Sequence, residues 1–471
     1  MKRIKFILPY LFFLFISLFV FILQITGDEL WNFNFARNIC NQKLPYRDFN
    51  MLQPPLSAYI SAVFLKIFGE SLVVYRILGI VLLISISSLL YKICSNIAAE
   101  KWLAFIFSSI VEVLCLIVWI YNYNNLIVLL ILIVFYLELI DEKSENTYIL
   151  CGFIMGCTLV IKQSTGACLI LANAIICGYD KICSHKSKRS VWLRFSVSML
   201  PGIIFLFYLF CTNTQREFWD YAVVGVSKFT HRITLFELIT DSTLCLLVGI
   251  FPFISIVLSC LRIVRRTSIV SRESHIHILI ISILGGSVAY PLTDYSHMIV
   301  ACIPYVVCLF CCIRYKVSKM DKVCGMVGII VIATVIIGVL FPGKAYRTSS
   351  LNCFQGIPIN KELENAIIEA DAYIVQKKLE GVKVLIADDS AAAYMIPLGH
   401  YNKDFDMLLG GNLGSKTIEE LLAQDEDTIF LVRRDERGMG IQNHFELIHV
   451  IKNTYTKIEE VQHFDAYVKK K

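Results

Sequence analysis

Residues 27–56 read GDELWNFNFARNICNQKLPYRDFNMLQPPL and separate two long apolar segments near the start of the chain. The stretch is rich in charge, with three acids and two arginines: Asp28, Glu29, Asp48, Arg37 and Arg47. The first two acids follow directly on the first apolar run. Ionised groups at a bilayer boundary are costly unless they are solvated or belong to a site. The stretch therefore predicts a loop over residues 26–70 that is either a solvated cap or part of a functional site.

The composition around this loop predicts an integral membrane protein. The 471 residues are 56% hydrophobic and only 17% charged, whereas soluble domains carry about 25% charged residues. Apolar runs long enough to cross roughly 30 Å of hydrocarbon recur up to residue 341, and the remainder has an ordinary soluble composition. We therefore divide the chain into a transmembrane domain of residues 1–341 and a second domain of residues 342–471.

Lys and Arg are concentrated in every second segment between the apolar runs. Lys2, Arg3 and Lys5 precede the first run, which we interpret as an uncleaved helix over residues 5–25. Because basic loops stay in the cytoplasm, the pattern predicts a cytoplasmic N-terminus, about eleven transmembrane helices and an extracytoplasmic C-terminal domain. The excess of Lys and Arg over Asp and Glu is explained by the topology of a protein in the cytoplasmic membrane, so we expect no nucleic-acid partner.

The C-terminal residues 342–471 alternate between helical and strand patterns. Apolar residues recur at helical spacing after residue 360, and the segments 382–388 (VKVLIAD) and 428–434 (TIFLVRR) are typical of buried strands. Such alternation predicts a small α/β domain. The fold class expected is thus an α-helical polytopic membrane protein with a small extracytoplasmic α/β domain.

The seventeen cysteines lie mostly within apolar runs, where Cys packs as a small hydrophobe. No CxxC motif occurs, so neither a zinc site nor a disulfide framework is predicted. Cys40 and Cys353 fall in segments predicted to be external, which would allow a disulfide between them.

Polar side chains gather at the predicted outer ends of the helices: Asp28, Glu29, Asp48, Asn124, Lys162, Gln163, Asp294 and His297. Helix ends are usually polar, so each residue alone could be a solvated cap. Together they are typical of a cavity for a substrate with a lipid tail and an anionic head. A carboxylate, Asp28 or Asp48, could take a proton from an acceptor hydroxyl. A cation could stabilise a phosphate leaving group, and the candidates are Lys162, His297, Arg37 and Arg47.

These motifs resemble the GT-C superfamily of membrane glycosyltransferases, which includes protein O-mannosyltransferases and lipid A aminoarabinose transferases. The first loop has the family's Asp-Glu pair, its Ala-Arg, its Pro-Tyr-x-Asp-Phe and its Pro-Pro, at Asp28-Glu29, Ala36-Arg37, Pro45 to Phe49 and Pro54-Pro55. Later family positions are matched at Arg76, Lys162-Gln163, Gly166, Tyr290-Pro291, Asp294, His297 and Pro304. The usual Arg after the Tyr-Pro pair is Leu292 here.

The resemblance implies an inverting glycosyltransferase that uses a polyprenyl-phosphate-linked sugar on the external face of the membrane. Asp28 becomes the base, with Glu29 and Asp48 in or near the site. The substrate-binding residues implied are Arg37, Arg47, Lys162, Gln163, Asp294 and His297. Many such enzymes need no metal, so no cofactor is expected, although the acids could hold a divalent ion as in the oligosaccharyltransferase branch. The expected partners are the lipid-linked donor, membrane lipid, and an acceptor that could be protein, lipid or glycan.

Two other classes of function stay open at this stage. A transporter or flippase of a lipid-linked sugar would need polar residues near the membrane midplane and broken helices in paired repeats. Only Glu112 is an acid in the middle of an apolar run, and no internal repeat is evident, so this alternative is less favoured. A non-catalytic sensor, in which the C-terminal domain binds a ligand, leaves the acidic first loop unexplained.

Overall fold

The computed structural model describes residues 2–97, 101–118, 121–139, 144–184, 186–228, 243–290, 295–313, 346–388, 393–406, 414–434 and 445–470. The chain forms two compact units, each built from three separate segments. The first unit comprises Met1–Val20, Arg76–Tyr208 and His231–Leu340, and the second comprises Phe21–Tyr75, Leu209–Thr230 and Phe341–Lys471. The first loop thus belongs to the same compact unit as the C-terminal residues. The division of the sequence into two domains at residue 341 stays a prediction.

The described residues of the first unit form helices joined by short connections, and none of them lies in a strand. Its helices, some of which continue into the second unit, are α1 (Lys2–Ser17), α4 (Leu72–Ile97), α5 (Lys101–Val118), α6 (Tyr123–Glu138), α7 (Glu145–Cys157), α8 (Gln163–Ile182), α9 (Lys188–Thr212), α11 (Thr243–Val264), α12 (Arg272–Gly285) and α13 (Tyr295–Cys312). The second unit contributes α2 (Gly27–Cys40), α3 (Leu56–Phe68) and α10 (Gln215–Phe218) to the numbering. Short 3-10 turns extend several of these helices, among them Leu18–Ile22 and Gly286–Ala289.

Three of the described helices, α4, α8 and α9, are long and apolar enough to cross a membrane by length and composition. Residues 7–22 and α2 would make a fourth span if they are counted as one broken segment, and several shorter apolar helices accompany them. The prediction of about eleven spans therefore stays a prediction, and the end of the predicted transmembrane domain, residues 314–341, lies outside the described residues.

The prediction that residues 26–70 form a loop is wrong in secondary structure, because residues 27–40 form helix α2. The side chain of Thr26 accepts the backbone N–H of Glu29 (3.2 Å) and caps this helix. The sequence of α2 shows no helical hydrophobic periodicity, because the helix is buried on nearly every side and its buried residues include Asn32, Asn34 and Asn38. The second helix of the region, α3, follows Pro55 and covers the apolar residues Leu56–Phe68.

The described residues of the C-terminal part of the second unit form two small sheets and three α-helices. Strands β1 (Tyr346–Thr348) and β2 (Pro358–Asn360) pair antiparallel. A four-stranded sheet has the order β3-β4-β6-β5. Its strands are β3 (Val384–Ile386), β4 (Ile429–Arg433), β5 (Tyr455–Val461) and β6 (Phe464–Lys469), and the helices are α14 (Lys361–Leu379), α15 (Ile418–Leu422) and α16 (Phe445–Thr454).

The predicted α/β character of this part is confirmed, with one addition. The segments 382–388 and 428–434 supply the parallel pair β3 and β4, as expected for buried strands. The hairpin of β5 and β6 was not predicted, because β5 is exposed along most of its length and lacks alternation. Phe430, Val432, Leu447 and Ile451 form the core of the domain.

Candidate functional site

The acidic pair of the first loop lies in the first turn of α2. Backbone N–H groups at a helix N-terminus carry partial positive charge, which favours carboxylates there. Asp28 is exposed, whereas Glu29 is buried with a relative exposure of 3%. Of the two adjacent acids, Asp28 is therefore the more exposed one.

Asp48 holds a tight turn. Its carboxylate accepts the backbone N–H of Leu44 (2.7 Å) and is bonded by Arg47 through Nε (2.9 Å) and Nη2 (2.8 Å). The hydrogen bonds from Arg47 are the main cause of a lowered pKa of Asp48. A carboxylate with a lowered pKa is a weaker base, so this geometry favours a structural role over proton abstraction.

The turn itself is strained. Tyr46 has φ of 67°, a left-handed conformation that bulky residues rarely adopt. The strain is held by the hydroxyl of Tyr46, which donates to the carbonyl oxygen of Gln53 (2.6 Å), and by the ammonium of Lys403, which donates to the carbonyl of Tyr46 (2.7 Å). The Pro-Tyr-Arg-Asp-Phe motif is thus built as a rigid turn of the second unit.

Arg37 ties α2 to the C-terminal part of the same unit. Its Nη1 donates to the carbonyl oxygen of Pro397 (3.0 Å), and its Nε lies 3.6 Å from a carboxylate oxygen of Glu70. One turn earlier, Asn34 donates to the carbonyl of Ala393 (2.7 Å). Sequence reasoning assigned Arg37 to a substrate and missed Asn34, because neither partner could be seen without the fold.

Lys162 is buried in the first unit, with a relative exposure of 4%. Its ammonium donates to Oδ1 of Asn124 (3.0 Å) and to the carbonyl oxygen of Val288 (2.7 Å), and it lies 5.5 Å from the ring centroid of Tyr123. Lys162 is the residue that precedes α8, and Asn124 lies in the first turn of α6. The positive ends of two helix dipoles therefore meet beside a buried ammonium, an arrangement that favours an anion.

The neighbours of Lys162 in its motif have different placements. Gln163 is the first residue of α8. A Cβ at Gly166 would lie 2.1 Å from Cα of Leu159, so only glycine fits where this helix packs on the preceding turn. His297 is buried in the first turn of α13, and Asp294 lies outside the described residues.

The predicted site residues divide between the two units. The second unit holds Asp28, Glu29, Asp48, Arg37 and Arg47, and the first unit holds Lys162, Gln163 and His297. Their assembly into one cavity stays a prediction. Within the described residues, no group of three or more His, Cys, Asp or Glu side chains is placed to hold a metal. Cys40 and Cys353 are both buried free thiols, so the disulfide considered between them is not formed.

Arg76, which matches a later family position, is fully buried in the first unit. Its Nη1 donates to the carbonyl oxygen of Val20 (2.7 Å), within the 3-10 turn that ends the first helical segment. Cations are favoured beside the carbonyls at a helix C-terminus. This arginine therefore caps a helix end.

Sequence reasoning missed a buried charged network in the first unit. Arg194 donates through Nη1 to Glu138 (2.9 Å) and through Nε to Asn173 (2.7 Å). The two ring nitrogens of His277 lie 2.9 Å from Glu138 and 3.0 Å from Asp180. These charged side chains come from α6, α8, α9 and α12 and are at most 1% exposed. These residues are far apart in the sequence and share no motif, so the network could not be recognised from the sequence.

Comparisons with known proteins agree with the class of protein that this fold and these residues indicate. The sequence model of the dolichyl-phosphate-mannose-protein mannosyltransferase family matches residues 52–220. The crystal structure of ArnT from Cupriavidus metallidurans in the apo state is similar at a TM-score of 0.61 and 10% identity, covering 99% of this chain and 98% of that chain. A comparison with curated proteins gives no significant match.

The same ArnT bound to undecaprenyl phosphate matches at a TM-score of 0.52 and 11% identity, covering 99% of this chain and 97% of that chain. The predicted resemblance to the GT-C membrane glycosyltransferases and the predicted fold class are confirmed. The family match and the similar structures also support the assignment as a membrane protein and a glycosyltransferase. Within that class, the particular fold is the one that ArnT adopts. The family match includes Lys162 but leaves Asp28, Asp48 and His297 outside its range.

Proposed function

We propose that this protein transfers a sugar from a polyprenyl-phosphate donor to an acceptor on the external face of the cytoplasmic membrane. The observation that carries the proposal is Lys162, a buried ammonium beside the N-termini of α6 and α8. Such a site suits a phosphate. The similar ArnT structure with undecaprenyl phosphate and the family match support this class of donor.

The reaction we propose needs one base and one cation. Asp28 takes the proton from the acceptor hydroxyl as that oxygen bonds to the anomeric carbon. The bond from the anomeric carbon to the phosphate oxygen breaks on the opposite face of the sugar, which inverts the configuration. The polyprenyl phosphate leaves with additional negative charge, and Lys162 stabilises that charge.

Asp28 is preferred as the base over the other two acids of the first loop because of their surroundings. Glu29 is buried within the second unit, and Asp48 is bonded by Arg47 and Leu44 in the tight turn. We retain both as candidates for binding or orientation, together with Arg37, Arg47, Gln163, Asp294 and His297. The proposed topology has a cytoplasmic N-terminus and an extracytoplasmic C-terminal domain.

The test uses the purified protein in liposomes with a panel of radiolabelled polyprenyl-phosphate sugars and membrane extracts as acceptors. Asp28→Asn should lower the transfer rate by about 10²–10⁴-fold while donor binding persists. Glu426→Gln, which alters an exposed acid of the C-terminal part, is the control and should transfer normally.

Asp48→Asn is the discriminating variant of the same test. If the large loss of transfer occurs in Asp48→Asn and not in Asp28→Asn, Asp48 is the base and our assignment is wrong. Near-normal transfer by both variants would remove the first loop from the chemistry.

A further inference from the structure

Helix α14 of the second unit presents apolar residues on its outer face as well as on its inner face. The inner face is buried, with Ile367 and Ile374 among its residues, as expected for a helix that packs on a small sheet. The apolar residues of the outer face, which we call the outer stripe, are all exposed: Ile368, Ala372, Val375 and Leu379. The exposed fraction reaches 86% at Leu379. The outer stripe contributes nothing to the core of its own domain.

The spacing of the outer stripe is that of a helix–helix seam. Its residues lie four, three and four positions apart, which is the spacing of the core positions in a two-stranded coiled coil. The stripe extends over about 16 Å of the helix. Single exposed apolar residues are common on protein surfaces, whereas a continuous apolar stripe marks an interaction site. The pattern therefore favours a second helix as the partner.

The charges beside the outer stripe select the kind of helix. Asp371 and Lys378 lie seven residues apart and thus on the same flank of the stripe. Nε2 of His400 lies 2.6 Å from Oδ1 of Asp371, whose side chain stays 37% exposed, and Lys378 is exposed. The flank therefore carries an acid near the middle of the helix and a base near its C-terminus, so it is complementary to a second copy of itself that runs in the opposite direction.

We propose that the outer stripe is a self-association surface, on which a second copy of this protein packs its own α14 in an antiparallel arrangement. In this register Ile368 lies against the partner's Leu379, and Ala372 lies against the partner's Val375. The association does not depend on the proposed transfer reaction.

The same register pairs the charges. Asp371 comes opposite the partner's Lys378, and twofold symmetry forms this pair a second time. In a parallel arrangement each Asp371 would lie at the level of the partner's Asp371, and neither pair would form.

A lipid bilayer is the other surface that covers apolar stripes of helices. Helices that lie on membranes are rich in Lys and Arg on their polar face. The flanks of the outer stripe instead carry Glu369 and Asp371 beside Lys378, and anionic lipid repels such acids. The charges thus favour a second copy over the bilayer.

The experiment is sedimentation equilibrium on the full-length protein in density-matched detergent, with chemical cross-linking in liposomes as a second measurement. The wild type should form dimers whose fraction rises with protein concentration. Leu379→Glu should raise the dissociation constant at least tenfold, because it places a carboxylate in the apolar seam twice. Ile458→Glu is the matched control, since it alters an exposed apolar residue of the same domain outside α14, and it should dimerise as the wild type does.

Two charge variants test the register. Lys378→Glu and Asp371→Lys each place like charges opposite one another, so each variant alone should dimerise about fivefold more weakly. A mixture of the two variants, carrying different affinity tags, should form the mixed dimer in preference to either homodimer, because both pairs of opposite charges are restored between them.

Three outcomes would overturn the proposal. The first is a wild type that stays monomeric both in detergent and in liposomes. The second is a dimer that neither Leu379→Glu nor Lys378→Glu weakens, since another surface would then hold it. The third is a monomeric protein whose α14 is labelled in liposomes by a lipid with a photoreactive group near its head, because the bilayer would then cover the outer stripe.

Discussion

Two buried polar clusters of the first unit occupy opposite ends of the same helices. Helix α6 carries Asn124 in its first turn and Glu138 at its last residue, about 21 Å apart along the axis. Helix α8 follows Lys162 and carries Asp180 close to its end. One end of this helix pair therefore belongs to the Lys162 cluster (Lys162, Asn124 and Val288), and the other belongs to the charged network.

The charged side chains of the two clusters have different kinds of partner. In the network, the guanidinium of Arg194 faces Glu138, and His277 lies between Glu138 and Asp180. In the Lys162 cluster, neutral oxygens of Asn124 and Val288 position the ammonium. Opposite charges that meet in the interior fix helices against one another, whereas the neutral oxygens of Asn124 and Val288 orient the ammonium of Lys162. The difference suggests that one cluster holds the bundle and the other serves a ligand.

The largest effect expected is on stability, from Arg194→Met. This change takes the guanidinium of Arg194 away from the buried carboxylate of Glu138, and breaking a buried pair on one side costs about 3–5 kcal/mol. The thermal unfolding midpoint in detergent should fall sharply, while donor binding by the protein that stays folded should be unchanged. Arg265→Met, at an exposed arginine of the same unit, is the control. If Arg194→Met lowers the unfolding midpoint no more than Arg265→Met does, the network does not stabilise the packing of the helices.

Lys162→Met should have the opposite profile. Hydrogen bonds from a charged donor contribute about 1.5–3 kcal/mol, so the affinity for a polyprenyl-phosphate sugar should fall by roughly 10–150-fold. Stability should change much less than in Arg194→Met, because removing the ammonium also removes its desolvation cost. Donor affinity is measured by competition with a labelled donor. An unaltered affinity would remove Lys162 from the donor site and with it the contrast between the two clusters.

Asn124→Ala should weaken donor binding by a smaller factor. The ammonium of Lys162 keeps the carbonyl of Val288 but loses the amide oxygen of Asn124. The loss of one positioning hydrogen bond corresponds to about 1 kcal/mol, or roughly fivefold in affinity. Asn453→Ala, an exposed asparagine of the C-terminal part, is the control. If Asn124→Ala binds the donor as tightly as this control, the amide has no part in positioning the lysine.

The smallest effect concerns the exposed pair of Arg47 and Asp48. The pKa of Asp48 is lowered in the folded state, so the pair stabilises the protein above the unfolded pKa of about 3.9 and loses this contribution as the pH falls through the lower folded value. Exposed pairs contribute about 0–1 kcal/mol. Arg47→Gln should therefore lower the unfolding midpoint slightly at neutral pH and not at all in strong acid. A pH-independent difference would exclude the ion pair as its cause.

The first loop shows where sequence reasoning succeeded and where it failed. The charges of residues 27–56 stood out because they interrupt apolar runs, and the motif positions could be read directly. The secondary structure of these residues could not be predicted, because α2 buries asparagines as well as apolar residues and has no amphipathic face. The partners of Arg37 and Asn50 lie more than 350 residues along the chain, and nothing local indicates such contacts.

The sequence by itself determined the membrane class, the α/β character of the C-terminal part and the family resemblance. These properties depend on composition, hydrophobic run length and short motifs, which are local along the chain. Only the tertiary structure decided which acid of the first loop is exposed and which side chains neutralise one another. It alone joined the first loop to the C-terminal residues and brought Arg194 to Glu138 and Lys162 to Asn124. The reason is physical: burial and charge pairing depend on distances between elements that are far apart in the chain.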